Sequence, residues 1–176
     1  MPLRIFEQRY MTMAKGCLKD GAAFGVCLIR DGNEVGDPAV PAEVGTLARI
    51  AEWDMAQLGL LEIVARGEQH FRILSRRVQA DGLVRASVEV LPNETDSAIP
   101  AACAPCVKLL EQVMEQHAAF FERPHRLDSS AWVSARLAEI LPLPLPIKQQ
   151  LLETDDARTR LEHLNGFLAK ETAKGD

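Results

Sequence analysis

Asp81-Gly82-Leu83-Val84-Arg85-Ala86-Ser87-Val88-Glu89-Val90-Leu91-Pro92 is the stretch on which the reading of the fold turns. Asp-Gly is a strong turn signal. After it Val84, Ala86, Val88 and Val90 alternate with Arg85, Ser87 and Glu89, the pattern of a strand with one face buried. The chain before this strand reads mostly as further strands, and the chain after it as helices. Between them, from Pro92 to Pro100, the sequence is polar and turn-rich, which predicts a boundary between two subdomains.

Working back from the turn, His70 to Val78 reads as a strand, Gly67-Glu68 as a hairpin-like break and Leu58 to Arg66 as another strand. Val44 to Trp53 is one more, with Gly45 as a weak point or bulge. Pro38 and Pro41 mark a loop, Asp31-Gly32-Asn33 a turn, and Phe24-Gly25-Val26-Cys27-Leu28-Ile29 a short apolar strand. The chain opens as a helix, because Phe6, Tyr10, Met13 and Cys17 recur on one face. Asp20-Gly21 ends it.

Working forward, Val107, Leu110, Met114, His117 and Phe121 lie on one face of a helix predicted from about Ala102 to Glu122 and stopped by Pro124. Asp128-Ser129-Ser130 offers capping oxygens for a second helix with Val133, Leu137 and Ile140 inward. Pro142, Pro144 and Pro146 form a stiff connector, and Pro146 suits the first turn of a helix carrying Ile147, Leu151 and Leu152. Thr154-Asp155-Asp156 can cap a last helix whose apolar face is Leu161, Leu164 and Leu168. The charged tail from Lys170 is expected to fray. Segregated strands and helices predict an α+β fold. Residues 1–95 form a β-rich subdomain with one leading helix, and residues 96–176 an α-helical subdomain.

The 176 residues suffice to fold without a disulfide or a metal. The net charge of −5 disfavours non-specific binding to phosphate backbones. No apolar run approaches the roughly 20 residues of a membrane helix. Arg4, Glu7, Gln8 and Arg9 interrupt any secretory signal at once, so the chain reads as cytoplasmic, with Cys17, Cys27, Cys103 and Cys106 as free thiols.

Motifs for chemistry are missing. The sequence has no phosphate-binding loop, no G-x-G-x-x-G, no H-E-x-x-H and no G-x-S-x-G. His70, His117, His125 and His163 are scattered, with no spacing for a common metal. Cys103-Ala104-Pro105-Cys106 is the one suggestive motif. Two thiols near a helix start can form a redox disulfide, or half of a zinc site. The plainer reading is two small semi-buried residues on the first turn of a helix. Adjacent carboxylates do not face each other on a helix, so Asp155-Asp156 reads as capping rather than catalysis. His117 reads as a core or boundary histidine, Trp53 and Trp132 as core or interface anchors, and Arg76-Arg77 as a solvated strand end. No catalytic, cofactor-binding or metal-binding residue is singled out, and the chain reads as a protein without enzymatic activity.

Pro2-Leu3-Arg4-Ile5-Phe6-Glu7-Gln8-Arg9-Tyr10 resembles the hallmark of the LON substrate-binding domain, the N-terminal domain of the Lon family of ATP-dependent proteases. Phe24-Gly25-Val26 with Leu28-Ile29-Arg30 is similar to its next strand, and Val44 to Ile50 to the one after. Gly67 with His70-Phe71-Arg72-Ile73 resembles its G-x-x-R-F-R-I hairpin, with His70 in place of the usual arginine. Leu151-Leu152-Glu153, Asp156, Arg160 and Leu161 fit its helical end.

The resemblance implies a PUA-like β subdomain, a helical bundle and no catalysis in this domain. It implies a non-catalytic module for polypeptide segments or a partner protein, without the ATPase and Ser-Lys protease parts of Lon. Arg4, Glu7 and Arg9 are then expected to hold the first helix to the sheet, with Phe6 and Tyr10 in the core. The family's apolar strand ahead of the hallmark is not seen here. Its absence is expected to expose a sheet edge through which the chain could pair as a homodimer. Alternatives are an RNA-binding PUA-like module, which the acidic balance disfavours, and a thiol redox protein using Cys103 and Cys106.

Overall fold

In a computed structural model of the protein, Pro2–Ile5 form strand β1 and Gln8–Asp20 form helix α1. The structure describes residues 1–118, 121 and 123–175, with side chains through Lys170. The opening is therefore strand then helix, not helix alone. Alternation decides it: Leu3 and Ile5 face Ile63 and Leu61 across an antiparallel pair, so the register turns both toward the apolar layer. Phe6 falls in the junction and is 56% exposed, against the expectation of a core residue. Tyr10, Met13 and Cys17 do pack against the core. Gly21 closes α1 in the left-handed conformation at φ 62°, and its N–H donates to the Cys17 carbonyl.

The other strands of this unit, Met1–Asn93, are β2 (Phe24–Val26), β3 (Ile29–Asp31), β4 (Val40–Pro41), β5 (Val44–Gln57), β6 (Leu60–Val78) and β7 (Val84–Val90). The main sheet runs β1-β6-β5-β2, with β7 also paired to β6. The apolar run from Phe24 to Ile29 divides rather than forming one strand. β2 joins the main sheet, and β3 pairs with β4, which takes in Pro41. Between them Leu28 accepts a hydrogen bond from the Ala42 N–H at 2.8 Å, which draws the chain toward β4. Ile5, Met11, Ala14, Phe24, Leu61 and Ile63 are core residues of this unit.

Gly67-Glu68 does not break the chain into a hairpin. β6 runs through it, and the register against β5 shifts between Thr46↔His70 and Ala48↔Gly67, so the extra residue is absorbed as a bulge. The hairpin turn lies at Leu58-Gly59, where Gly59 has φ 85°. Gly45 is no weak point. It stands opposite Phe71, whose ring lies so close that a Cβ on Gly45 would come within 2.8 Å of it and 2.6 Å of the Val26 carbonyl oxygen. The glycine is the space that the buried ring occupies.

The second unit, Glu94–Asp176, holds a 3-10 turn at Ala101–Cys103 and helices α2 (Ala104–Gln116), α3 (Ser130–Ile140), α4 (Leu145–Leu152) and α5 (Ala157–Gly175). Its core is built on Leu110, Val133, Leu137, Leu151, Leu161 and Leu164. α2 is shorter than the pattern predicts. It ends at Gln116, and His117 is an exposed residue at its C-terminus rather than a core histidine. The expected continuation over Ala119, Phe120 and Glu122 lies outside the described residues. Phe121 is nevertheless buried. α5 continues past Lys170 to Gly175, further than the charged tail suggests.

Polar contacts organise this unit. The Ser129 hydroxyl accepts from the Trp132 N–H at 3.0 Å and caps α3. The Asp96 carboxylate accepts from the Ser129 hydroxyl at 2.8 Å, the Ala131 N–H at 3.1 Å and Arg126 at 2.5 Å. These bonds, the Ser129 hydroxyl foremost, hold its carboxyl below the usual carboxylate range. Arg160 is buried on α5. It donates to the Ser134 hydroxyl at 2.9 Å and to the Glu94 carboxylate at 2.5 Å.

Candidate functional site

The sequence-level candidates for chemistry are structural. Cys103 and Cys106 are fully buried in the helical core, and the Cys106 thiol lies 3.6 Å from the Asn165 side-chain oxygen. Burial pushes the Cys106 thiol up to about 11 and raises Cys103 as well. An attacking thiol needs a lowered value and solvent access, so this pair departs from a redox site on both counts. Among the described residues no group of His, Cys, Asp and Glu could hold a metal ion. Asp156 accepts from the Thr159 N–H at 2.7 Å and its hydroxyl at 2.6 Å, which lowers its pKa and makes it the cap of α5.

The hallmark arginines are also structural, but in another arrangement than expected. Arg4 lies on β1 and pairs with Glu62 on β6 at 3.0 Å. Arg9 is buried, pairs with Glu7 at 2.8 Å, and donates to the Gly82 carbonyl at 3.3 Å. Only Arg9 of these ties α1 to the sheet, at the β6–β7 turn.

What the fold leaves open is the ribbon made by the end of β6 and by β7. Phe71↔Val90, Arg72↔Glu89, Ile73↔Val88, Ser75↔Ser87, Arg77↔Arg85 and Val78↔Val84 are opposite one another, with a bulge at Leu74. Alternation sorts them into two faces. One carries Phe71, Ile73, Val84 and Val88. The other carries Arg72, Ser75, Arg77, Arg85, Ser87 and Glu89, and every one of these is exposed.

β7 is also an edge. Among the described residues it pairs with β6 alone. The Gln79 N–H donates to the Leu83 carbonyl and the Leu91 N–H to the His70 carbonyl, at the two ends of the pair. These bonds set the phase of the ladder: Arg85, Ser87 and Glu89 use their backbone groups on β6, and Ala86 and Val88 direct theirs outward. β7 thus offers a row of backbone donors and acceptors, guarded by the charges of Arg85 and Glu89.

Two further features are exposed. Trp53, on the β5 arm of the β5–β6 hairpin, is 60% exposed, and Leu58 at its tip is 96% exposed. Trp53 is thus no core anchor, whereas Trp132 is partly buried against the helical core. In the second unit an open groove of about 1060 Å³ is lined by Ile99, Pro100, Pro105, Val107 and Leu127, with Lys108 among the polar groups.

The sequence shows Arg76-Arg77 as a basic spot, and the tie to Arg85 comes only from the strand register. The signal was present. A turn around Asp81 places 77 opposite 85, and this register is the one observed.

A family profile described as the ATP-dependent protease La (LON) substrate-binding domain matches residues 1–170. The crystal structure of a Lon N-terminal domain protein from Xanthomonas campestris superposes with a TM-score of 0.77 at 36% identity, covering 93% of this chain and 86% of that one. The Lon protease of Anaeromyxobacter dehalogenans is 24% identical over 92% of this chain, which is 20% of that protein. Protein cereblon of Danio rerio is 30% identical over 53% of this chain and 22% of its own length. The chain thus spans about a fifth of the length of the curated relatives it matches.

Proposed function

The chain belongs to the LON substrate-binding domain family, and on that footing we propose that it is a non-catalytic cytoplasmic module that binds extended polypeptide segments by adding them as a strand to the open edge of β7. The carrying observation is that edge, whose Ala86 and Val88 backbone groups have no strand partner among the described residues. An added strand gains affinity from main-chain hydrogen bonds and specificity from alternate side chains. The buried, neutral thiols of Cys103 and Cys106 support a binding role over redox chemistry.

The test is binding of a fluorescently labelled, permanently unfolded polypeptide, followed by anisotropy. Ala86→Pro removes one outward donor on an edge strand that tolerates proline. It is expected to weaken binding roughly tenfold, about the worth of one or two hydrogen bonds. No binding by the unaltered protein would sink the reading. A second copy of the chain can occupy an open edge too, because among the described residues β1 is likewise paired with one strand, β6. Such a homodimer would show as a doubled solution mass that Ala86→Pro or a charge placed on β1 restores to the monomer.

A further inference from the structure

We propose that the exposed face of the β6–β7 ribbon selects acidic segments among the polypeptides that dock on β7. This inference rests on the edge-binding reading above. Arg77 and Arg85 are directly opposite, with Arg72 on the same face. Like charges opposite each other in a sheet are unfavourable. Three other arginines of this unit do have carboxylate partners: Arg4 with Glu62, Arg9 with Glu7 and Arg49 with Glu68. Arg72, Arg77 and Arg85 have no ion-pair partner among the described residues. The face is short of anions, and a bound segment can bring them.

The geometry fixes where. A strand on β7 lies about 4.8 Å away and turns every second side chain to this face. An aspartate or glutamate beside Arg85 reaches its guanidinium and comes within range of Arg77 on the next strand. Ser75 and Ser87 behind them add hydroxyl donors. Glu89 lies four residues beyond Arg85, about 13 Å along the strand. There it disfavours a second acid and accepts a neutral or basic residue. The preferred segment is therefore extended, acidic at one end and neutral or basic four residues away. A nucleic acid fits less well, because this face has no aromatic ring for bases to stack on and the chain carries a net charge of −5.

The experiment compares three labelled peptides of equal length on the full chain at low salt, with glutamate, glutamine or lysine at the position facing Arg85, and a single-stranded RNA of similar length. The glutamate peptide is expected to bind roughly tenfold more tightly than the glutamine one, the worth of a charge-assisted hydrogen bond or two. Higher salt should shrink that advantage. Arg77→Glu with Arg85→Glu should abolish that advantage, so that the glutamate peptide binds no more tightly than the glutamine one. The single change Arg85→Gln provides the same reading if the double variant folds poorly. Equal affinity of the glutamate and glutamine peptides overturns the acidic preference and leaves edge binding standing. RNA binding tighter than every peptide, lost in the double variant, overturns it in favour of nucleic acid. No binding by any peptide defeats both readings.

Discussion

Strand β6 has two halves built on opposite terms. Its first half lies between β1 and β5, and the arginine beside it on β1, Arg4, is matched to its own Glu62. Its last residues, Arg76 to Val78, pair with β7 alone, and there Arg77 meets Arg85 with no carboxylate between them. Where a charge is matched within the chain, it serves the fold. Where it is left unmatched on an exposed strand, it costs the fold a little and is available to a partner. The distinction can be broken by finding a matched arginine that does not matter to stability, or an unmatched one that does.

The matched kind should show the largest effect at Arg160. Its guanidinium is buried between Ser134 and Glu94. Arg160→Ala leaves a carboxylate and a buried hydroxyl without their partner, which is expected to cost about 3 kcal/mol. Urea unfolding followed by circular dichroism measures it. A loss below about 1 kcal/mol would show that matching does not make an arginine structural here.

The joint between the halves of β6 is the next test. Phe71 fills the space over Gly45, and a methyl group there meets the ring, the Val26 carbonyl and the Cys27 sulfur at 2.8, 2.6 and 2.5 Å. Gly45→Ala is expected to cost about 1–3 kcal/mol by overpacking. The double change with Phe71→Leu should recover part of that loss. If it does not, the backbone clash with Val26 rather than the ring sets the cost.

A smaller effect belongs to the capping contacts of the helical unit. Ser129→Ala removes the α3 cap and is expected to cost about 1 kcal/mol. The same hydroxyl is the first cause of the lowered Asp96 pKa. A lowered carboxylate stabilises the fold above its unfolded value, 3.8 for an ordinary aspartate, and that contribution is lost as the pH falls through the folded value. The gap in urea midpoint between the protein and Asp96→Asn should therefore be present at pH 6 and close as the pH falls below 3.8.

These tests also show where the sequence sufficed. The alternation at Val84–Val90, the capping serine at 129 and the leucine faces of the helices were all legible, because local periodicity and side-chain oxygens act over a few residues. Three features were not. Pro2–Ile5 is a strand because β6 is there to pair with it, and Phe6 lost its place in the core with that change. Gly67-Glu68 reads as a hairpin-like break, yet pairing with β5 on both sides of it keeps β6 running through. Trp53 reads as a core or interface anchor because of its size, and its exposure, which depends on which strands cover the hairpin arm, rules out the core. The candidate site was half legible: its edge strand was the clearest in the chain, and its charge pair needed the register.

The smallest effect is the most telling, because its sign is opposite to the others. Arg77→Glu replaces a like-charged cross-strand pair by an opposite one, on a face where both side chains are exposed. It should stabilise the protein by about 0.5 kcal/mol or less, raising the thermal midpoint by about a degree or two. Added salt should shrink the gain by screening. The same change should weaken the glutamate peptide. An arginine whose loss helps the fold and harms binding cannot be there for packing, whereas Arg160 should harm stability outright. If Arg77→Glu instead destabilised the chain to the extent of Arg160→Ala, Arg77 would belong with the structural arginines, and the division of β6 into a matched and an open half would fail.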